Sequence, residues 1–134
     1  MKYSKDLIKE NMNKYGQTVL KALNNFKDSY SIVECYDLTA KEIFETKSSQ
    51  EKSCPKNTFL GLCEEGLVKG VPVGNYTTSV MNKEYAIQAV EILKRSPTKI
   101  FTPKELWKKL ELGDKKHNSQ MDVVWVLWSE GLIV

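Results

Sequence analysis

The segment TAKEIFETKSSQEKSCPKNTFLGLCEEGLV at residues 39–68 decides the predicted fold, because an altered version, TPKELWKKLELGDKKHNSQMDVVWVLWSEGLI, occupies residues 102–133. Each copy begins with Thr, has Glu three positions later, and ends with Glu-Gly-Leu and a β-branched residue. A repeat of this kind predicts similar units packed on a common core. The sequence therefore predicts two related halves, residues 1–80 and 81–134.

Size and composition favour one domain made from both halves. The 134 residues suit a single domain, whereas either half alone is close to the size at which a hydrophobic core becomes marginal. Hydrophobic residues make up 41% and charged residues 28% of the chain, which is typical of globular proteins. The net charge of +3 is too small to indicate a nucleic-acid partner by itself.

The two openings of the repeat predict helix starts. Thr39 with Glu42, and Thr102 with Glu105, have the spacing of a capping box, in which the Thr hydroxyl and the Glu carboxylate satisfy free backbone amides. Pro103 suits the first helical position. Apolar residues at helical spacing predict further helices at residues 4–27, 82–95 and 119–130.

Extended structure is expected in two places. Residues 28–37 contain Ile, Val, Cys and Tyr and are interpreted as a short strand. Residues 68–79, VKGVPVGNYTTS, place glycines between β-branched and aromatic residues and predict a β-hairpin after a helix that stops at Gly66. The predicted fold class is mainly α with a short β-hairpin, and the second half lacks a comparable hairpin.

This order of elements resembles a winged helix, repeated twice and packed as one compact domain. In that family the third helix usually enters the DNA major groove and the hairpin touches the backbone, although winged helices also serve as protein-interaction modules. Residues 54–77 and 118–133 also resemble a family of small uncharacterised bacterial proteins. That second resemblance implies no particular chemistry.

The winged-helix resemblance implies a DNA-contacting surface at the helix that begins near Cys54. Side chains at its start and in the following hairpin are the candidate DNA-binding residues: Lys52, Lys56, Asn57, Thr58 and Lys69. Such residue types reach phosphates and base edges in many complexes. They are equally common at ordinary solvated helix starts, so both interpretations stay open.

A second basic region lies between Lys94 and Lys116, where eight Lys or Arg residues accompany three acidic residues. A phosphate backbone is one partner for such a region, and exposed lysines on solvated helix faces are the more common explanation. Trp107, Trp125 and Trp128 lie on apolar helix faces and are interpreted as core residues, with base stacking as the alternative.

Three functions remain as hypotheses. The first is DNA binding, and the second is a protein-interaction or assembly module, including a homo-oligomer, with no nucleic acid. The third is a thiol enzyme in which the helix dipole and Lys56 activate Cys54, although a buried, inert cysteine is more common. One histidine and no CxxC motif predict no metal site, and no sequence motif for a cofactor is present.

The chain is expected to be a reduced, cytoplasmic protein outside the membrane. The three cysteines are odd in number, and the longest apolar run, residues 123–128, is too short to span a bilayer. That run makes the last helix hydrophobic nearly all round. We therefore expect the last helix to be a central core element or a subunit contact.

Overall fold

The structure, a computed structural model, describes residues 3–26 and 31–134. Within these residues the chain forms eight α-helices and no β-strand: α1 (Lys5–Asn11), α2 (Lys14–Asn25), α3 (Ile32–Ile43), α4 (Lys47–Gln50), α5 (Ser53–Glu64), α6 (Val80–Arg95), α7 (Pro103–Lys109) and α8 (Gln120–Ser129). The predicted combination of helices and a β-hairpin in a winged-helix-like repeat is therefore wrong. The described part of the chain is a compact helical domain.

The predicted N-terminal helix is two helices. It breaks at Met12 and Asn13, because the Asn13 side chain accepts a hydrogen bond from the Gly16 amide at 3.0 Å and caps α2. Asn is among the best N-cap residues, since its short side chain competes well for free amides. Lys27, the last residue of the predicted helix, lies outside the described residues.

The expected strand at residues 28–37 is also wrong where the structure describes it. Residues from Ile32 onward belong to α3, whose N-cap Ser31 accepts hydrogen bonds from the first turn. The buried residues of α3 recur at helical spacing: Ile32, Cys35, Tyr36, Thr39 and Ala40. Thr39 is thus inside a helix, where its hydroxyl donates to the Cys35 carbonyl at 2.7 Å and caps nothing.

The expected hairpin at residues 68–79 is an irregular segment held by side chains of α5. Glu64 Oε1 accepts hydrogen bonds from the backbone amides of Tyr76 at 2.8 Å and Thr77 at 3.2 Å. Asn57 Oδ1 accepts from the Thr78 amide at 3.2 Å. In a hairpin, carbonyl groups of the partner strand would accept such hydrogen bonds, since most buried backbone amides must find an acceptor. Here the side-chain oxygens of Glu64 and Asn57 accept them instead.

The two Glu-Gly-Leu segments end α5 and α8 in the same way and then meet. Gly66 and Gly131 adopt the left-handed φ values of +74° and +72° that favour glycine after a helix. Val68 and Ile133 form an isolated antiparallel bridge. The equivalence is confined to these ends, because Thr102 caps α7 whereas Thr39 does not cap a helix.

Helix α8 lies at the centre of the fold, as the sequence predicts. It packs against α2, α5, α6 and α7, and most of its residues are buried: Gln120, Met121, Val123, Val124, Trp125, Val126 and Leu127. The buried hydrophobic residues of both predicted halves form one cluster. Predictions of α6 and of the capping box that starts α7 are also confirmed.

Helices α5 and α6 are in close contact at Gly61. A Cβ atom added at Gly61 would lie 2.7 Å from Lys83 Cβ and 2.9 Å from Lys83 Cα. The Cα atom belongs to the backbone of α6, so it cannot move aside as a side chain can. Gly16 in α2 differs, because a Cβ atom there would lie 3.0 Å from Met12 Cγ, part of a flexible side chain.

Gly61→Ala is expected to destabilise the protein by about 1–3 kcal/mol through overpacking, even though Ala is the better helix former. Gly16→Ala is the matched control, and we expect a change below about 1 kcal/mol because Met12 can adjust. Urea unfolding of both variants measures these changes. A Gly61→Ala variant as stable as the parent would show that α5 and α6 are farther apart than described.

Glu64→Gln is expected to destabilise the protein at neutral pH, because the Lys83 ammonium group at 2.6 Å and the Tyr76 amide lower the Glu64 carboxyl pKa. A lowered folded-state pKa stabilises the fold above the ordinary Glu pKa, and this contribution disappears as pH falls through the folded-state value. The stability difference between parent and variant should therefore shrink on acidification. Thermal unfolding at several pH values tests this, and a constant difference would contradict it.

Candidate functional site

A buried hydrogen-bond network fixes the start of α7 against α8. The Trp125 indole N–H donates to the Phe101 carbonyl at 2.6 Å, and the Phe101 amide donates to the Tyr3 hydroxyl at 3.0 Å. Thr102 then caps α7, and its own amide donates to Glu105 at 3.0 Å. Because buried polar groups need partners, this network holds the first turn of α7 in one position.

The loop of residues 112–119 brings His117 to the start of α8. Ser119 has a left-handed φ of 67° and its side chain caps no amide of α8. His117 Nε2 instead accepts a hydrogen bond from the Met121 amide at 3.0 Å. The His117 ring lies over Trp107 of α7, with ring centroids 5.1 Å apart and planes tilted by 32°.

These elements line an open cavity of about 520 Å³, which we name the Trp107 cleft. Residues from α1, α7, α8 and the 112–119 loop line it: Asn11, Thr102, Pro103, Lys104, Trp107, Lys108, His117 and Asp122. The cleft combines an aromatic surface with cationic and hydrogen-bonding groups. Pockets of this size and mixture are typical of sites for small ligands.

The electrostatics of the cleft favour an uncharged His117. Burial lowers the pKa of the His117 imidazole, and the positive charge of Lys52 lowers it further. Burial also raises the pKa of the Asp122 carboxyl. Asp122 Oδ2 lies 3.8 Å from His117 Nε2, but that nitrogen already accepts the Met121 amide and donates nothing to the carboxylate. The Asn13 side chain and the positive charge of Lys52 favour the ionised form of Asp122 and oppose the effect of burial on its pKa.

Trp107 also lines a second cavity, of about 230 Å³. We name it the Cys54 cavity, and it is lined by Cys54, Ser79, Met81, Asn82, Tyr85, Trp107, Lys115, Lys116, Asn118 and Gln120. Gln120 Nε2 donates to Asn82 Oδ1 at 3.3 Å, so these buried amides satisfy each other. His117 does not line the cavity, and so the structure places no imidazole base in it beside the half-buried Cys54 thiol.

The predicted DNA-binding residues divide into three groups in the structure. Asn57 and Thr58 are buried, and their polar atoms bond within the fold. Lys56 forms a salt bridge of 2.8 Å with Asp37, and Lys52 lies 5.6 Å from the centre of the Tyr15 ring. Lys69 is exposed in the segment after α5.

The structure therefore does not bring these five residues together as one exposed surface. Polar residues at the start of α5 stabilise the fold, since they bind the 68–79 segment and α3. Sequence reasoning missed Asn11, His117 and Asp122 as cavity residues. The cluster of lysines between Lys94 and Lys116 was the one signal that pointed towards this region.

Other cavities offer less chemistry. A cavity of about 340 Å³ is lined by the Lys56–Asp37 pair together with Lys41, Gln50 and Glu51, whose charges largely compensate. A cavity of about 280 Å³ lies beside Cys35 between α2 and α3. The three cysteines form no disulfide.

Within residues 3–26 and 31–134, no group of three or more His, Cys, Asp or Glu side chains has the arrangement of a metal site. No helix of the same part of the chain is both long and apolar enough to cross a membrane.

The model of a family of unknown function, DUF6979, matches residues 12–134. The chain belongs to this family. The match covers α2 to α8 and, apart from Asn11, every residue that lines the two cavities beside Trp107, so nearly all of the site lies in the family domain. No curated protein and no solved structure matches the chain.

His117→Gln is expected to reduce the pH dependence of stability between about pH 7 and pH 5. Because the His117 pKa is lowered in the fold, the unfolded state takes up the proton first, and the parent loses stability as pH falls through the ordinary histidine range. Gln can still accept the Met121 amide but does not titrate. Urea unfolding at three pH values compares the two proteins, and parallel pH profiles would contradict the expectation.

Proposed function

We propose that the protein binds DNA through four lysines that line the two cavities beside Trp107, which we name the basic surface: Lys104, Lys108, Lys115 and Lys116. Lys104 and Lys108 line the Trp107 cleft, and Lys115 and Lys116 line the Cys54 cavity. This location differs from the helix at Cys54 that the winged-helix resemblance implied.

The observation that carries the proposal is that none of these four lysines forms a salt bridge with a described carboxylate. No described carboxylate lies within 4.0 Å of the ammonium group of any of these four lysines. Glu105 is the acidic residue of α7, and its carboxylate is hydrogen-bonded to the Thr102 amide in the capping box. Lysines without carboxylate partners are available to replace the counterions of a phosphate backbone.

The positions of these lysines relative to Trp107 also support DNA binding. Lys104 and Lys108 are four residues apart on α7, and Trp107 lies between them, so all three share one side of the helix. Lys115 and Lys116, from the 112–119 loop, line the Cys54 cavity together with Trp107. A strand of nucleic acid bound along both cavities would meet both lysine pairs.

The double substitution Lys104→Ala with Lys108→Ala is expected to weaken binding to mixed-sequence DNA by roughly tenfold or more at low salt. The slope of log affinity against log salt should fall by about 2, one for each lost phosphate contact. Fluorescence anisotropy with labelled DNA at low and moderate salt measures both quantities. Lys56→Ala with Lys69→Ala is the matched control, because it removes the same charge from the start of α5 and the segment after it.

Equal losses from the two double variants would contradict the proposal and indicate a diffuse electrostatic attraction. No binding by the parent at low salt would exclude DNA and leave the alternative, a protein-interaction module.

One observation favours that alternative: Val80 and Met81 at the start of α6 are neighbouring apolar residues with 68% and 50% of their surface exposed. Such residues are common in interfaces.

A further inference from the structure

We propose that the Trp107 cleft binds one unpaired guanine nucleotide, with the base on Trp107, its donor edge at Asp122 and its phosphate at Lys104 and Lys108. This inference rests on the proposed DNA binding and specifies which part of the nucleic acid enters the cleft.

The size of the cleft selects a single nucleotide. Its volume of about 520 Å³ lies within the range of small-ligand sites, roughly 300–1,000 Å³, and a double helix cannot enter such a space. A duplex would touch only the rim lysines and leave the interior unfilled. The interior fits an unpaired base instead. Such a base occurs at a strand end, in a loop or where a nucleotide is flipped out of a stack.

Trp107 is held in a fixed orientation for stacking. Tyr85 contacts it edge to face at 5.7 Å with planes at 88°, and His117 lies at 5.1 Å. His117 lies over part of the indole, but the indole is only partly buried and lines both cavities, so the base stacks on the part that His117 leaves exposed. A base that stacks on an already ordered aromatic ring loses less entropy on binding than one that must order the ring itself.

Asp122 provides the selectivity. Its side chain is 16% exposed and lines the cleft, and the neighbouring His117 is held in its neutral form by the Met121 amide. An ionised carboxylate only accepts hydrogen bonds. The pairing edge of guanine offers two adjacent N–H donors, whereas thymine offers one N–H between two carbonyl oxygens that a carboxylate repels.

The phosphate position follows from α7. Lys104 and Lys108 lie one turn apart on the side of the helix that carries Trp107, and both line the cleft. Asn11 is available beside them: its Nδ2 donates to the Leu7 carbonyl at 2.9 Å, and its Oδ1 has no described donor. The cleft thus contains cations for a phosphate and acceptors for a base edge.

Isothermal titration calorimetry of the full chain with guanosine and thymidine 5′-monophosphates tests the inference. We expect the guanine nucleotide to bind at least tenfold more tightly, as for other bidentate base contacts. Trp107→Leu should weaken both ligands by roughly tenfold, which is typical of a lost stacking platform. Asp122→Asn should remove most of the guanine preference and leave thymidine binding unchanged or tighter.

Asp114→Asn is the matched control for Asp122, because Asp114 is an exposed carboxylate of the 112–119 loop outside the cleft. Thermal unfolding of each variant checks that it is folded. Lys104→Ala with Lys108→Ala provides a second variant, which should weaken both nucleotides equally by removing the phosphate contact.

Equal affinity for the two nucleotides, or unchanged guanine binding by Trp107→Leu, would overturn the inference. The experiments distinguish a failure of the guanine site from a failure of the proposed DNA binding. Lysine-dependent binding of mixed DNA without any binding of mononucleotides would keep the DNA surface and exclude the base site. Guanine nucleotide binding without DNA binding would keep the cleft as a nucleotide site and exclude the wider surface.

Discussion

The whole structure depends on covering α8, a helix with almost no polar face. Its segment from Met121 to Leu127 contains one charged residue, Asp122, and the remaining side chains are buried. Leaving such a helix in water would cost about 1.5–3 kcal/mol for each large apolar side chain. Helices α2, α5, α6 and α7 all pack against it, and in this way the two predicted halves come to share one core.

The position of the candidate site follows from how α8 begins. A buried helix still needs acceptors for its first amides, and Ser119 cannot supply one in its left-handed conformation. His117 takes that role, which draws the 112–119 loop back over Trp107. The same contact places Asp122, in the first turn of α8, on the wall of the cleft. A requirement of the core therefore arranges the residues of the site.

The parts of the fold that could be predicted from sequence are those whose signals are local. The capping box at Thr102, the left-handed glycines and the apolar period of α6 and α8 each involve neighbouring residues. Helix α3 was also visible in the spacing of its buried residues, but their β-branched and aromatic character suggested a strand. The segment 68–79 could not be predicted, because its amides are accepted by Glu64 and Asn57, whose direction depends on α5.

The candidate site could be predicted from the sequence even less than the fold, because it depends more on contacts between distant residues. An excess of lysine near α7 is readable from composition, and Trp107 is readable as an aromatic residue on an amphipathic helix. Nothing in the sequence shows that Asn11 lies beside Lys104 and Asp122 in one cleft, since the contact depends on how α1 and α7 meet α8. Conversely, Asn57 and Thr58 are residue types that often contact DNA, but their polar side-chain atoms form hydrogen bonds within the fold. Polar residues at a helix start stabilise that helix and its neighbours first, and only those without internal partners remain available for a ligand.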